Sequence, residues 1–234
     1  MAQSVSSGKL AARVTIRSAF WIALMALLLF FPAGRWNWPQ GWVFLAVFVL
    51  ASTAFGIWMY RRDPGLLAER VGPLIRPGQP SWDKIFLISF LAFWFIWLAW
   101  MGLDAQRWRL SVMPIWLNIA GGALVVAGFA ATARVLRENT FAAPVVRAQS
   151  EREQRVIDTG PYAIVRHPMY AIAILCLFGM PLLLGSWYGL IGTVVIVLGM
   201  AWRSAHEECT LKRDLPGYAD YMNRVCYRLV PGVW

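Results

Sequence analysis

The sequence predicts an all-α, polytopic integral membrane protein, and three observations predict it. Hydrophobic residues make up 59% of the 234 residues and charged residues only 15%, whereas soluble domains carry about 25% charge and can cover their surface with it. The stretches Ile85–Leu103 and Leu190–Trp202 contain no charge at all. The chain holds 14 Trp and 13 Phe, and indole rings favour the membrane–water interface. Such a composition excludes disorder. The net charge of +10 does not point to nucleic acid, because the basic residues flank apolar segments instead of forming a separate basic face with interleaved aromatics.

A helix needs roughly 20 apolar residues to cross about 30 Å of hydrocarbon. Six segments qualify, near 14–32, 41–60, 84–103, 111–136, 168–184 and 187–206. The first also has the basic flank of a signal peptide, in Lys9, Arg13 and Arg17, but Phe30-Phe31-Pro32-Ala33-Gly34 is a poor cleavage site, so it is expected to remain as a span. Between the second and third spans, Arg61–Lys84 is dense in Asp-Pro-Gly, Gly-Pro and Arg-Pro-Gly turns, the pattern of a surface connector. No chemistry is expected there. The fourth span carries Ala123, Ala127 and Ala131 at small-xxx-small spacing, beside Gly121, Gly122 and Gly128. Helix packing in lipid is sufficient to explain that stripe. Only Leu184-Gly185-Ser186 separates the fifth and sixth spans, which form a tight hairpin. The chain divides into three helices with their connector, 1–110, and a core of 111–234.

Of the 22 Lys and Arg, only Arg35, Arg107 and Arg109 fall on one side of the six spans. The positive-inside rule then places both termini in the cytoplasm, with a bacterial-type inner membrane favoured, and an even number of spans agrees.

Two polar clusters carry the candidate chemistry. Pro168 suits the first turn of a helix, so Arg166 and His167 introduce the fifth span, and Tyr170 shares their face. The free N–H groups of that turn favour an anionic or polar ligand head. One hairpin later come Arg203 and Glu207, four residues apart, with Glu208. Long side chains at a helix end can simply reach water. Two clusters joined by a three-residue turn, however, converge as a site does. His206-Glu207 lacks the second His of a zinc-protease motif, Thr210 standing there, so no metal site is expected. Cys176, Cys209 and Cys226 form neither a Cys-x-x-Cys pair nor a disulfide framework.

The run Gly160-Pro161-Tyr162, Arg166-His167-Pro168-Met169-Tyr170, Arg203 with Glu207-Glu208, Tyr218-Ala219-Asp220-Tyr221 and Pro231 resembles the isoprenylcysteine carboxyl methyltransferase family, related to membrane phospholipid methyltransferases. The likeness covers 139–231. It implies a membrane-embedded methyltransferase that uses S-adenosyl-L-methionine. The absence of a Gly-x-Gly-x-x-Gly turn after a strand agrees with a non-Rossmann enzyme. The resemblance implies cofactor contacts at Gln154, Val156, Ile157, Tyr162, His167, Pro168, Met169, Tyr170 and Glu207, with Arg166 beside them. It puts a substrate-binding Arg at Arg203. Arg147 and Gln154 stand where eukaryotic members have a Gln and a His.

The expected acceptor is a prenylated or other lipophilic molecule with a terminal carboxylate, which needs no general base. Arg203 would orient it, with Glu207 and Glu208 completing the catalytic group. A phospholipid amine or small thiol is the alternative, with Glu208 or His206 as base. An NADPH-dependent reductase resembling the sterol reductases, using Arg147, Arg152 and Arg155 for a phosphate, and a non-catalytic scaffold are the others.

Overall fold

The computed structural model describes residues 7–147, 149 and 152–234, and the described residues form helices and turns with no strand. The helices are α1 (Ser7–Ala33), α2 (Pro39–Arg62), α3 (Pro64–Arg70), α4 (Ser81–Gly102), α5 (Ile115–Glu138), α6 (Pro168–Leu184), α7 (Trp187–Asp214) and α8 (Tyr218–Arg224). Five of them, α1, α2, α4 (continued by a π turn, Leu103–Trp108), α5 and α7, are long and apolar enough to cross a membrane. The expected fifth span is α6, with 17 residues. At 1.5 Å per residue it is about 26 Å long, at the short limit for a span. It begins at the Arg166–His167 cluster, with His167 as its N-cap residue. By contrast α7 runs eight residues past its expected end, so Glu207 and Glu208 sit inside a helix.

One apolar cluster joins α1, α2, α4, α5, α6 and α7, from Met25 and Leu29 through Phe44, Trp97 and Val125 to Met180, Ile196 and Met200. In lipid the bundle gains little from apolar burial between helices, so close packing and interhelical hydrogen bonds hold it. Trp97 Nε1 donates to the Gly189 carbonyl at 2.7 Å, Asn118 Nδ2 to the Leu182 carbonyl at 2.7 Å, and Thr193 Oγ1 to the Leu177 carbonyl at 2.9 Å.

Helices α5 and α6 make the closest pair, and glycines rather than the alanine stripe make it. Ala123 and Ala127 are exposed, whereas Asn118, Gly121, Val125 and Gly128 form the buried face. A Cβ on Gly121 would come within 2.4 Å of the Leu183 backbone nitrogen, and one on Gly128 within 2.2 Å of Cys176 Sγ. The α6–α7 hairpin closes on Gly185 at φ +82, a left-handed conformation that favours glycine. Ser186 then caps α7 by accepting from Gly189 N at 2.9 Å.

The short helix α3 lies in the Pro-rich connector and is firmly anchored. Asp63 caps it by accepting from Leu66 N at 2.8 Å, and also accepts from the Thr140 hydroxyl. Leu66 and Leu67 are buried against Leu10, Met59 and Leu136.

Gly121→Ala is expected to destabilise the bundle by about 1–3 kcal/mol through overpacking against backbone. Gly122→Ala meets only Leu183 Cδ1 at 3.6 Å and should be tolerated. Unfolding of the two variants in detergent checks the contrast.

Candidate functional site

The connector end of the bundle holds a cavity of about 500 Å³, within the size range of small-ligand sites. Its walls come from α1, the Pro-rich connector, α4, the 139–166 connector, α6, α7 and the tail. Among the residues expected from sequence, Gln154, Val156, Ile157, Tyr162, Arg166, His167, Met169, Tyr170, Arg203 and Glu207 all line it. Pro168 is buried beside it without lining it. Glu208 and His206, the expected bases for an amine or thiol, do not line it.

Glu208 has a different position from its neighbour because one residue turns a helix by about 100°. Its carboxylate, 2% exposed, is held by Arg166 Nε at 2.6 Å, Arg228 Nε at 2.8 Å and His167 Nε2 at 3.2 Å. Arg166 also donates to the Val225 and Cys226 carbonyls at 2.7 and 2.8 Å. Main-chain bonds continue the seam, from Arg166 N to the Tyr227 carbonyl and from His167 N to the Arg228 carbonyl, each 2.9 Å. Glu208 and Arg166 therefore form a clasp that ties the tail to the start of α6. His206 lies against Trp202 and Trp82, with ring centroids 4.0 and 5.5 Å away.

Glu207 faces the cavity. It accepts from the Tyr170 hydroxyl at 2.7 Å, and His167 Nδ1 lies 3.9 Å from the same oxygen. The His167 and Tyr170 rings stack, with centroids 5.4 Å apart and planes 3° from parallel. His167 thus stands between Glu208 on one side and the cavity carboxylate on the other.

Arg203, one helical turn along α7 from Glu207, is 8% exposed and already engaged. Its Nε donates to Asp83 Oδ1 at 2.9 Å and its Nη2 to the Pro144 carbonyl at 2.7 Å. The guanidinium lies over the rings of Phe86 and Tyr170, 5.4 and 5.8 Å from their centroids. Asp83, fully buried at the start of α4, also accepts from Gln79 Nε2 at 2.7 Å and Val146 N at 3.0 Å. The connector expected to hold no chemistry therefore supplies the partner of Arg203. Asp83 reads in sequence as an ordinary acid in a helix's first turn. The available signal was an acid beside an apolar span at the end that also carries Arg203.

The tail forms one wall of the cavity. Leu215, Tyr218, Tyr221 and Val225 form a buried cluster with Val156 and Leu211, and Tyr221 donates to the Tyr162 carbonyl at 2.7 Å. Burial pushes the Tyr162, Tyr218 and Tyr221 phenols above their ordinary range, so they remain neutral hydroxyls. Within the connector, the side chain of Gln154 accepts from Gln149 N at 2.7 Å.

Asp83→Ala leaves a buried guanidinium uncompensated and is expected to cost about 3–5 kcal/mol of stability. The double variant Asp83→Leu with Arg203→Met should recover much of that loss, and a double-mutant cycle on unfolding measures it. Glu208→Ala is expected to free the tail, seen as faster proteolysis after residue 215, while Glu207→Ala keeps it docked.

Residues 116–215, from α5 to the end of α7, match the family model described as phospholipid methyltransferase. No curated protein matches the chain. The matched stretch contains Tyr162, the Arg166–Tyr170 cluster, Arg203 and Glu207, whereas Asp83 and the tail lie outside it. The apolar helices and this match together support an integral membrane methyltransferase in which residues 116–215 are similar to the phospholipid methyltransferase family.

Proposed function

We propose that the protein is an S-adenosyl-L-methionine-dependent methyltransferase whose acceptor is lipophilic and carries a terminal carboxylate. The observation that carries the reading is the two-sided cavity. Glu207, Tyr170, His167 and Gln154 line it toward the connector and tail, and Phe86, Leu87, Phe90, Leu91, Ala173 and Met200 line it along the spans.

The donor set suits the cofactor. Glu207 offers a carboxylate to its ammonium or hydroxyl groups, Gln154 and the Tyr170 hydroxyl offer polar partners, and Tyr162 and Tyr218 offer aromatic faces that attract a cation. Bound there, the cofactor would supply an electrophilic methyl group. The protein's share is to align the acceptor and to keep water from its charge. Arg203 is the orienting group. Two of its nitrogens hold Asp83 and Pro144, and Nη1, without a hydrogen bond among the described residues, can take one carboxylate oxygen. A carboxylate loses no proton on methylation. That fits a cavity from which Glu208 and His206 are turned away. The apolar wall along the spans supports entry of the acceptor from the bilayer, and the polar wall supports entry of the cofactor from the aqueous side.

A phospholipid amine is the second reading. The family match favours it, and Asp83 neutralises the charge of Arg203 that would otherwise repel an amine. The reductase reading has less support, because Arg152 is directed to Gln149 and Thr140 and Arg147 reaches Glu69.

Purified protein is expected to bind S-adenosylmethionine and not NADPH, measured by calorimetry. Binding of NADPH alone would overturn the reading. Glu207→Ala should weaken the cofactor by about 1.5–3 kcal/mol. Arg203→Lys keeps the charge opposite Asp83 but loses the planar fork, and should raise the acceptor KM while leaving cofactor affinity intact. Faster turnover of an amine than of any prenylated carboxylate would transfer the assignment to the second reading.

A further inference from the structure

Six charged side chains line the cavity: Arg70, Arg147, Arg155, Arg166, Arg203 and Glu207. Arg166 is held by Glu208, Arg203 by Asp83, and Arg147 reaches Glu69 at 3.5 Å. Arg155 is exposed to water. Arg70 is different. It is half-buried, at the end of α3, and among the described residues its only hydrogen bond runs from Nη1 to the Ala142 carbonyl at 2.9 Å. No carboxylate of the described residues lies within ion-pair distance of it. A guanidinium stays charged in a protein, and a buried charge without a counter-ion is costly. Burial accordingly pushes the Arg70 pKa below its ordinary value.

The fold does not leave Arg70 there by slack. Asp63 caps α3 and is bonded to Thr140, Leu66 and Leu67 are buried, and Ala142 holds one arm of the guanidinium. Among the described residues, Nε and Nη2 have no hydrogen-bond partner. The cavity that Arg70 lines is also lined by Asn139, Phe141 and Tyr162.

We infer that Arg70 is the anion receptor of the cavity, holding a carboxylate or phosphate group of the bound ligands through Nε and Nη2. The inference rests on the methyltransferase reading for the choice of ligand. Two sources share this chemistry: the amino-acid carboxylate of S-adenosylmethionine, and the anionic head of the lipophilic acceptor. Arg70 lies outside the stretch similar to phospholipid methyltransferases, so the role belongs to the N-terminal half of this chain.

The test compares Arg70→Gln and Arg70→Lys with the unaltered protein in detergent, reading binding by calorimetry. Each probe is paired with one lacking the charge: S-adenosylmethionine with 5′-methylthioadenosine, and dodecanoate or dodecyl phosphate with dodecanol. Arg70→Gln is expected to weaken a charged probe 10- to 100-fold, the range for a hydrogen bond to a charged group. The uncharged partner should bind as before, and Arg70→Lys should recover most of the loss. Selective loss of S-adenosylmethionine assigns the cofactor carboxylate. Selective loss of dodecanoate or dodecyl phosphate assigns the acceptor head. Unchanged binding of every charged probe overturns the inference, as does equal loss of charged and uncharged probes. If the unaltered protein binds no S-adenosylmethionine, the methyltransferase reading fails, while the amphiphile pair still decides on Arg70.

Discussion

The buried pair of Asp83 and Arg203 is the contact on which the site depends. A carboxylate with no solvent exposure and a guanidinium 8% exposed can persist in an apolar bundle only if each satisfies the other and the remaining polar atoms find partners. Here they do. Asp83 also takes Gln79 and Val146, and Arg203 also takes Pro144. The pair therefore sets three things at once: the approach of α4 to α7, the path of the connector across the cavity, and the direction of the one guanidinium arm left for a ligand. Its net charge is close to zero. An arginine that looks strongly cationic in sequence thus presents a much weaker field to an acceptor.

A second buried carboxylate solves a different problem. The apolar cluster of Leu215, Tyr218, Tyr221 and Val225 docks one part of the tail, and the segment that follows it is fixed by charge. Glu208 gathers Arg166, His167 and Arg228, and the main chain of residues 166–167 bonds to that of 227–228. The same short segment thus secures the tail and presents His167 to the cavity. Adjacent residues of α7 divide structural and ligand-facing work because a helix turns about 100° per residue. Glu208 faces the clasp, and Glu207 faces the cavity.

Lipid explains why polar contacts and glycines carry so much of this fold. Lipid tails are as apolar as the helices, so helices associate through close backbone approach and shared hydrogen bonds. Gly121 and Gly179 allow that approach between α5 and α6, with each Cβ position blocked by the facing backbone. The shortness of α6 follows the same logic. In the α6–α7 hairpin, 28 residues of α7 face 17 of α6, so α7 runs past the start of α6 after supplying Arg203 and Glu207.

Much was legible in the sequence. Charge-free runs marked the spans, Pro168 and Gly185 marked the ends of α6, and the spacing of Arg203 and Glu207 put both on one face of α7. These are local properties, set by residue type and helical period. Tertiary structure decided the rest, because it depends on which distant groups meet. It paired Asp83 with Arg203, 120 residues apart. It turned Glu208 from candidate base to structural hub, brought Arg70 from a turn-rich connector into the cavity wall, and chose the glycine face of α5 over its alanine stripe. A charged residue in sequence carries no mark of its counter-ion. Whether it is neutralised, solvated or left waiting for a ligand is settled only when the helices pack around it.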